Sequence, residues 1–121
     1  MISYIKIITL LFNLTDLFKV LPNAHYGMAT IFWSQGDPFN PDGRLACGGS
    51  MLVDKSRIVA HPTLPCRSKV FLYNPRTQKG TVASVMDRGP RHAMIDLSKG
   101  TAKAIEHNGM ESIIMIPVGD K

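Results

Sequence analysis

The stretch AHPTLPCRSKVFLYNPRTQKGTVASVMDRGPRHAMIDLS, residues 60–98, contains three short motifs in one order: HPTLP at 61–65, DRGP at 87–90 and IDLS at 95–98. Residues 81–86 alternate in polarity as a strand does, so Asp87 should lie where a strand ends and a turn begins. Asp96 follows nine residues later, and one strand could return it to Asp87. Two carboxylates beside one groove are typical of acid–base chemistry on sugars.

The chain on either side of this stretch also predicts short strands. They are expected at 26–33, 57–61, 68–74, 81–86, 94–97 and 111–118, with a long loop at 34–50 after the first. Ser98 is a suitable cap for one helix running to Asn108, with Gly109 as its stop. About six strands and one helix in 121 residues favour a small closed barrel over an open sheet. The predicted fold class is mainly β.

Composition limits the classes of partner and cofactor. The net charge is +5, but the basic residues are scattered, which favours anionic partners without identifying one. The sequence has no zinc-finger spacing, RNA-binding aromatic motif or long basic helix, so nucleic acid is not an expected partner. Two cysteines without a C-x-x-C or H-x-x-x-H arrangement predict no metal site, and no cofactor is expected.

Residues 1–24 differ from the rest of the chain. One early lysine followed by an apolar run predicts a secretory signal peptide or N-terminal leader ending near Ala24, which leaves residues 25–121 as the barrel domain. The alternative is an amphipathic N-terminal helix, since several apolar residues are roughly helix-spaced. The run is short for a membrane span, so no stable span is expected once the leader is removed.

The predicted state of Cys47 and Cys66 depends on whether the chain is exported. In an exported chain, an even pair separated by a modest loop predicts a disulfide. In a cytosolic chain, the two would be buried thiols. Each lies beside Gly or Pro in a segment that resembles a loop, which favours the disulfide.

In their order and spacing, the three motifs resemble the rare lipoprotein A (RlpA-like) family, whose double-psi β-barrel is shared with expansins and barwin-type domains. The resemblance covers roughly residues 27–118, and ACGG at 46–49 together with Cys66 resembles the barwin-like members. It implies a six-stranded double-psi β-barrel in a periplasmic or secreted protein. It also implies peptidoglycan glycan strands as the partner, bound by a monomer.

The resemblance also implies an activity. Enzymes of the family are lytic transglycosylases, which cut the β-1,4 bond between N-acetylmuramic acid and N-acetylglucosamine and leave a 1,6-anhydro sugar. Since the substrate's own C6 hydroxyl attacks, one acid can suffice. Asp87 is the expected acid and base, and Asp96 is expected to align the site or to help hold the proton on Asp87. His61, Arg88 and Arg91 are expected to contact substrate.

One departure from the family pattern keeps a second function open. Active members often carry an acidic residue just before the second strand, where this chain has Ser50, which would then only contact substrate. The alternative function is therefore a non-catalytic peptidoglycan-binding or expansin-like wall-loosening module.

Structural roles also remain open for the individual residues. Asp87 could bond the turn ahead of Gly89, and Asp96 could favour the following helix N-terminus. His61 could brace the groove by hydrogen bonding, whereas Arg88 and Arg91 could be solvated.

Overall fold

The computed structural model describes residues 14–32, 44–49 and 56–119. These residues form six strands and two short helices. In chain order the elements are α1 (Leu14–Lys19), β1 (His25–Ile31), β2 (Ile58–Ala60), β3 (Lys69–Asn74), β4 (Lys79–Asp87), β5 (Ile95–Leu97), α2 (Lys99–Ala104) and β6 (Met110–Gly119).

The strands close into one barrel in the order β1-β5-β2-β4-β3-β6. The pairs β1/β5 and β2/β4 are parallel, whereas the other four pairs are antiparallel. Because the sheet closes on itself, every described strand has a hydrogen-bonded neighbour on both sides, and none of them is left as an unpaired edge strand. The closed, mixed barrel confirms the predicted fold class, and β2 lies between β4 and β5.

The core fills the barrel interior with small and branched aliphatic side chains from all six strands. Because side chains alternate along a strand, each strand buries one of its two faces there. Ala102 of α2 and Ile105, the residue that follows α2, add two further apolar side chains to this core. The core residues are Ala29, Val59, Val70, Leu72, Ala83, Val85, Ile95, Leu97, Ala102, Ile105, Ile113 and Met115.

The predicted strands all occur, with bounds that differ by one or two residues where the structure describes them. Trp33, at the end of the first predicted strand, and residues 34–43 and 50 of the predicted loop lie outside the described residues. The main difference is in β4, which begins at Lys79 and includes Asp87 as its last residue. The turn before β4 is correspondingly short: the N–H of Gln78 donates to the carbonyl of Asn74 at 2.7 Å. Asp87 thus lies at the end of a strand, as the alternation predicted.

The helix predicted to run from Ser98 to Asn108 is longer than the helix in the structure. Ser98 is its N-cap and accepts the N–H of Thr101, but the helix ends at Ala104. Glu106 has a φ of 52°. Its N–H donates to the carbonyl of Lys103, and the N–H of His107 donates to the carbonyl of Ala102. This pair of bonds is a Schellman motif in which Glu106 holds the left-handed position that glycine usually takes.

We expect Glu106→Gly to stabilise the domain by about 0.5–1 kcal/mol, because glycine adopts the left-handed region without the steric cost that a Cβ imposes. Chemical denaturation measures this. Lys103→Gly, in the last turn of α2, is the matched control and should destabilise by about 1 kcal/mol. Equal destabilisation by both substitutions would contradict the assigned cap.

Helix α1 packs against the outside of the barrel on β3 and β6. The ring of Phe18 lies 5.6 Å from that of Phe71 and 4.7 Å from that of Tyr73. Nearby, the Asn23 side chain donates to the carbonyl of Pro117 at 2.9 Å. The described part of the expected leader therefore contacts the barrel. Residues 1–13 lie outside the described residues, and the boundary near Ala24 stays a prediction.

Within the described ranges, no helix is long and apolar enough to cross a membrane.

Candidate active site

The two carboxylates expected from the sequence lie on either side of one alanine. In the sheet register, Ala60 of β2 pairs with Asp96 of β5 on one side and with Asp87 of β4 on the other. Two interstrand spacings of about 4.8 Å put the Cα atoms of the two aspartates about 10 Å apart. Ala60 itself is buried, with 2% of its surface exposed.

Asp96 lies on the face of β5 opposite the core. Its neighbours Ile95 and Leu97 are fully buried, so the Asp96 side chain points away from them. Thr30 continues the row on β1, where it pairs with Asp96 and donates its hydroxyl to Asp96 Oδ1. A row of Thr30, Asp96, Ala60 and Asp87 therefore crosses four neighbouring strands, and we call it the carboxylate row.

Within residues 14–32, 44–49 and 56–119, the hydrogen bonds to the Asp87 carboxyl group all reach one of its two oxygens. Its Oδ1 accepts the N–H of Ala46 at 2.9 Å and the N–H of Arg88 at 3.0 Å. Its backbone carbonyl accepts the N–H of His61 at 3.1 Å. Because two donors face Oδ1, a proton on this carboxyl group belongs on Oδ2. The contacts thus distinguish a held oxygen from an oxygen that can exchange a proton.

His61 is half-buried in the turn that follows β2. Its Nδ1 accepts the N–H groups of Thr63 at 3.1 Å and Leu64 at 3.0 Å. The neutral ring therefore carries its proton on Nε2. Burial, followed by the positive charge of Arg88 and then that of His25, lowers the pKa of His61. Among the roles that the sequence left open for His61, this geometry favours bracing the turn.

We expect His61 to titrate at a lower pH than the 6.5 of an unperturbed histidine. Since its folded-state pKa is lowered, the stability that neutral His61 contributes is complete above pH 6.5 and is lost as the pH falls through the folded value. NMR titration of the ring protons measures this. In Arg88→Ala the midpoint should rise towards 6.5, and a midpoint above 6.5 in the unmodified chain would contradict the assignment.

The Arg88 side chain bonds the same turn. Its Nη1 donates to the carbonyls of His61 at 3.1 Å and Leu64 at 2.6 Å, and its Nη2 lies 3.5 Å from Cys66 Sγ. The guanidinium group remains exposed, so a contact with substrate is compatible with these bonds. Arg88 is therefore more than a solvated surface charge.

The other predicted site residues differ in how the structure places them. Cys47 and Cys66 form the predicted disulfide, with an S–S distance of 2.05 Å and Cα atoms 5.5 Å apart. A loop of this length is worth about 3 kcal/mol by chain-entropy arithmetic. Arg91 is exposed in the segment between β4 and β5. Ser50 lies outside the described residues, so its expected contact with substrate stays a prediction.

Three residues of the site were missed by the sequence reasoning. Ala46 acts through its backbone N–H, which leaves no mark on side-chain identity. Ala60 and Thr30 belong to the site only through strand register, which residue types alone do not give. A metal site is not evident: in residues 14–32, 44–49 and 56–119 no three His, Cys, Asp or Glu side chains are grouped to hold an ion.

No protein-family model matches the chain. Two curated proteins are similar to it. "Endolytic peptidoglycan transglycosylase RlpA" of Pasteurella multocida is 35% identical over 84 residues, which is 68% of this chain and 27% of that protein. "Probable endolytic peptidoglycan transglycosylase RlpA" of Nostoc sp. is 34% identical over 76 residues, which is 61% of this chain and 20% of that protein. The matches thus span only about a quarter of these relatives' length.

A solved structure is similar in fold. "Streptomyces papain inhibitor (SPI)" superposes with a TM-score of 0.59 over 80% of this chain and 96% of the inhibitor, at 22% sequence identity. At that identity the likeness concerns the barrel alone.

Proposed function

The chain belongs to the RlpA-like family of double-psi β-barrels, and we propose that it acts on peptidoglycan as a lytic transglycosylase. The proposed reaction cleaves the β-1,4 bond between N-acetylmuramic acid and N-acetylglucosamine and forms a 1,6-anhydro product. The observation that carries the proposal is the Asp87 carboxyl group, held through Oδ1 at the end of β4, with Asp96 in register two strands away.

The reaction requires one group that first donates a proton and then accepts one. Protonated Asp87 donates from Oδ2 to the glycosidic oxygen as the bond from that oxygen to the muramic acid C1 breaks. The C6 hydroxyl of the same sugar attacks C1, closing the anhydro ring, and its proton passes to the Asp87 carboxylate. No water is consumed, so no second carboxylate is needed to activate one.

Asp96 and Thr30 support this step from the other side of Ala60. The sugar ring develops positive charge as the glycosidic bond breaks, and a fixed negative charge nearby stabilises that transition state. The hydroxyl of Thr30 bonds Asp96 Oδ1 and so orients the carboxylate. We therefore assign Asp96 a stabilising role and Asp87 the proton transfers.

We also expect the turn after β2 to contact the substrate. With Nδ1 of His61 bonded by two backbone N–H groups, Nε2 carries a proton that a sugar hydroxyl or acetamido oxygen can accept. Arg88 adds positive charge near the anionic groups that the wall carries. We propose a periplasmic or secreted location for the protein and peptidoglycan strands as its partner.

A non-catalytic wall-binding or wall-loosening module is the second candidate function. It is favoured by the sequence around Ser50, since no Glu or Asp occurs between Asp42 and Asp54. On that account the carboxylate row binds glycan by hydrogen bonds without transferring a proton.

Product analysis separates the two candidates. The oxidised full-length chain is incubated with intact and with peptide-stripped peptidoglycan, and soluble products are analysed by mass spectrometry. Sedimentation of the protein with the insoluble wall is measured in parallel. The proposed function predicts soluble fragments with 1,6-anhydro ends. Co-sedimentation without such fragments at any pH would assign a binding module, and absence of both would exclude both functions.

A further inference from the structure

The two donors to Asp87 Oδ1 differ in how they are held. The N–H of Arg88 belongs to the next residue, so it is available whenever the turn forms. The N–H of Ala46 comes from 41 residues away in the sequence. It reaches Oδ1 only while residues 44–49 lie against the end of β4. The direction of the Asp87 carboxyl group therefore depends on what holds that segment.

Cys47 is the next residue after the Ala46 donor. Its N–H donates to the carbonyl of Met86 at 2.9 Å, and its side chain is almost fully buried in the disulfide with Cys66. Two further hydrogen bonds lie within the segment: the N–H of Leu45 donates to the carbonyl of Gly49, and the N–H of Gly48 donates to the carbonyl of Leu45. The segment is thus a small turn that contacts β4 through its Ala46 and Cys47 amides.

The other cysteine is also held from β4. The N–H of Arg67 donates to the carbonyl of Val85 at 2.6 Å, and Arg88 Nη2 lies 3.5 Å from Cys66 Sγ. The disulfide therefore joins two segments that bond consecutive residues at the end of the same strand. Neither cysteine belongs to the core cluster inside the barrel.

We propose that the Cys47–Cys66 disulfide is a positioning element for Asp87. It keeps the Ala46 N–H on Oδ1 and so directs Oδ2 towards substrate. Without the covalent link, the Arg88 N–H still donates to Asp87 Oδ1, whereas the Ala46 N–H no longer does. The carboxyl group then rotates more freely about the Cβ–Cγ bond of Asp87. The catalytic consequence rests on the proposed function, whereas the structural link between disulfide and carboxyl group does not.

The structural link is tested by amide NMR on the full-length chain. In the unmodified protein, the amide signals of Ala46 and Arg88 should both shift as Asp87 is titrated with acid. In Cys47→Ala/Cys66→Ala, the Arg88 shift should persist and the Ala46 shift should vanish. Arg76→Ala, which removes an ion pair at the other end of β4, is the control and should retain both shifts. An unchanged Ala46 shift in the double variant would overturn the inference.

The catalytic consequence is tested by steady-state kinetics on soluble glycan strands. The double variant should lose about 10- to 100-fold in kcat with little change in KM, as expected for a misplaced reacting group. Ala46→Pro removes the donor while keeping both cysteines and should reproduce the loss, which covers the case of a double variant that does not fold. Unchanged kcat in either folded variant would overturn the proposal. If the unmodified protein forms no anhydro product while the amide shifts behave as stated, the proposed function fails and the positioning role stands.

Discussion

Asp87→Asn should lower the rate of 1,6-anhydro product formation by about 10³-fold, within the range that a positioned acid contributes. The asparagine Oδ1 can still accept the N–H groups of Ala46 and Arg88, so the side chain should keep its direction. Its NH₂ group then replaces Oδ2 and cannot protonate a leaving oxygen. Mass spectrometry of the released fragments measures the loss, and co-sedimentation with peptidoglycan should persist.

Asp96→Asn is the graded comparison for this result. It removes a charge but no transferred proton, and Asn Oδ1 can still accept the Thr30 hydroxyl. We expect about a 10-fold loss, the smaller effect of weakened transition-state stabilisation. If Asp96→Asn abolished activity while Asp87→Asn retained it, the roles assigned to the two aspartates would be exchanged.

Glu111→Ala should destabilise the domain by about 2–3 kcal/mol, because it removes the acceptor of a polar network between the β3–β4 turn and the start of β6. Glu111 accepts the Asn74 amide at 2.9 Å, the Asn108 N–H at 3.1 Å and the Arg76 Nε at 2.8 Å. The Glu111 side chain is 13% exposed, whereas that of Arg76 is 54% exposed. Since exposed ion pairs contribute little, most of the loss should come from the hydrogen bond of Asn74, whose side chain is fully buried.

Thermal unfolding is the measurement, and a loss of this size should lower Tm by about 10 °C or more. Glu106→Gln, on an exposed side chain nearby, is the matched control and should change Tm little. The same Tm for Glu111→Ala and the control would show that the network is dispensable.

The Glu111 network also predicts a dependence of stability on pH. The Arg76 hydrogen bond, helped by those of Asn74 and Asn108, lowers the Glu111 pKa to about 2. Its contribution is therefore complete above the usual carboxyl value of 4.5 and is lost as the pH falls towards 2. Glu111→Ala should flatten the acid limb of the stability profile. An acid limb equally steep in both proteins would contradict this assignment.

The fold could be predicted from the sequence where local pattern and tertiary environment agree. The apolar and β-branched residues of 81–86 are typical of a strand, and this run forms β4, which buries Ala83 and Val85 and exposes Val82. The C-terminal half of the predicted helix failed because Gly109 looked like the terminating residue, whereas Glu106 takes the left-handed position. Glutamate is not a residue type that favours the left-handed region, so the residue type alone does not predict that the helix ends before Glu106.

The site was predictable as residue types and not as an arrangement. Asp87 and His61 carry their chemistry in their side chains, so the motifs pointed to them. The pairing of both aspartates with Ala60 depends on a register shift between Val59 and Ala60, which no spacing rule contains. The Ala46 N–H is a backbone group brought over by a disulfide, so only the three-dimensional structure shows that it faces Asp87.

In the proposed reaction the substrate's own hydroxyl, and not water, attacks the sugar while Asp87 transfers the proton. The direct measurement is glycan cleavage by the full-length chain in water enriched in heavy oxygen, followed by mass spectrometry of the new muramic acid ends. Attack by the C6 hydroxyl should give anhydro ends that carry no heavy oxygen. Reducing ends labelled with heavy oxygen at the earliest time points would show hydrolysis and contradict it.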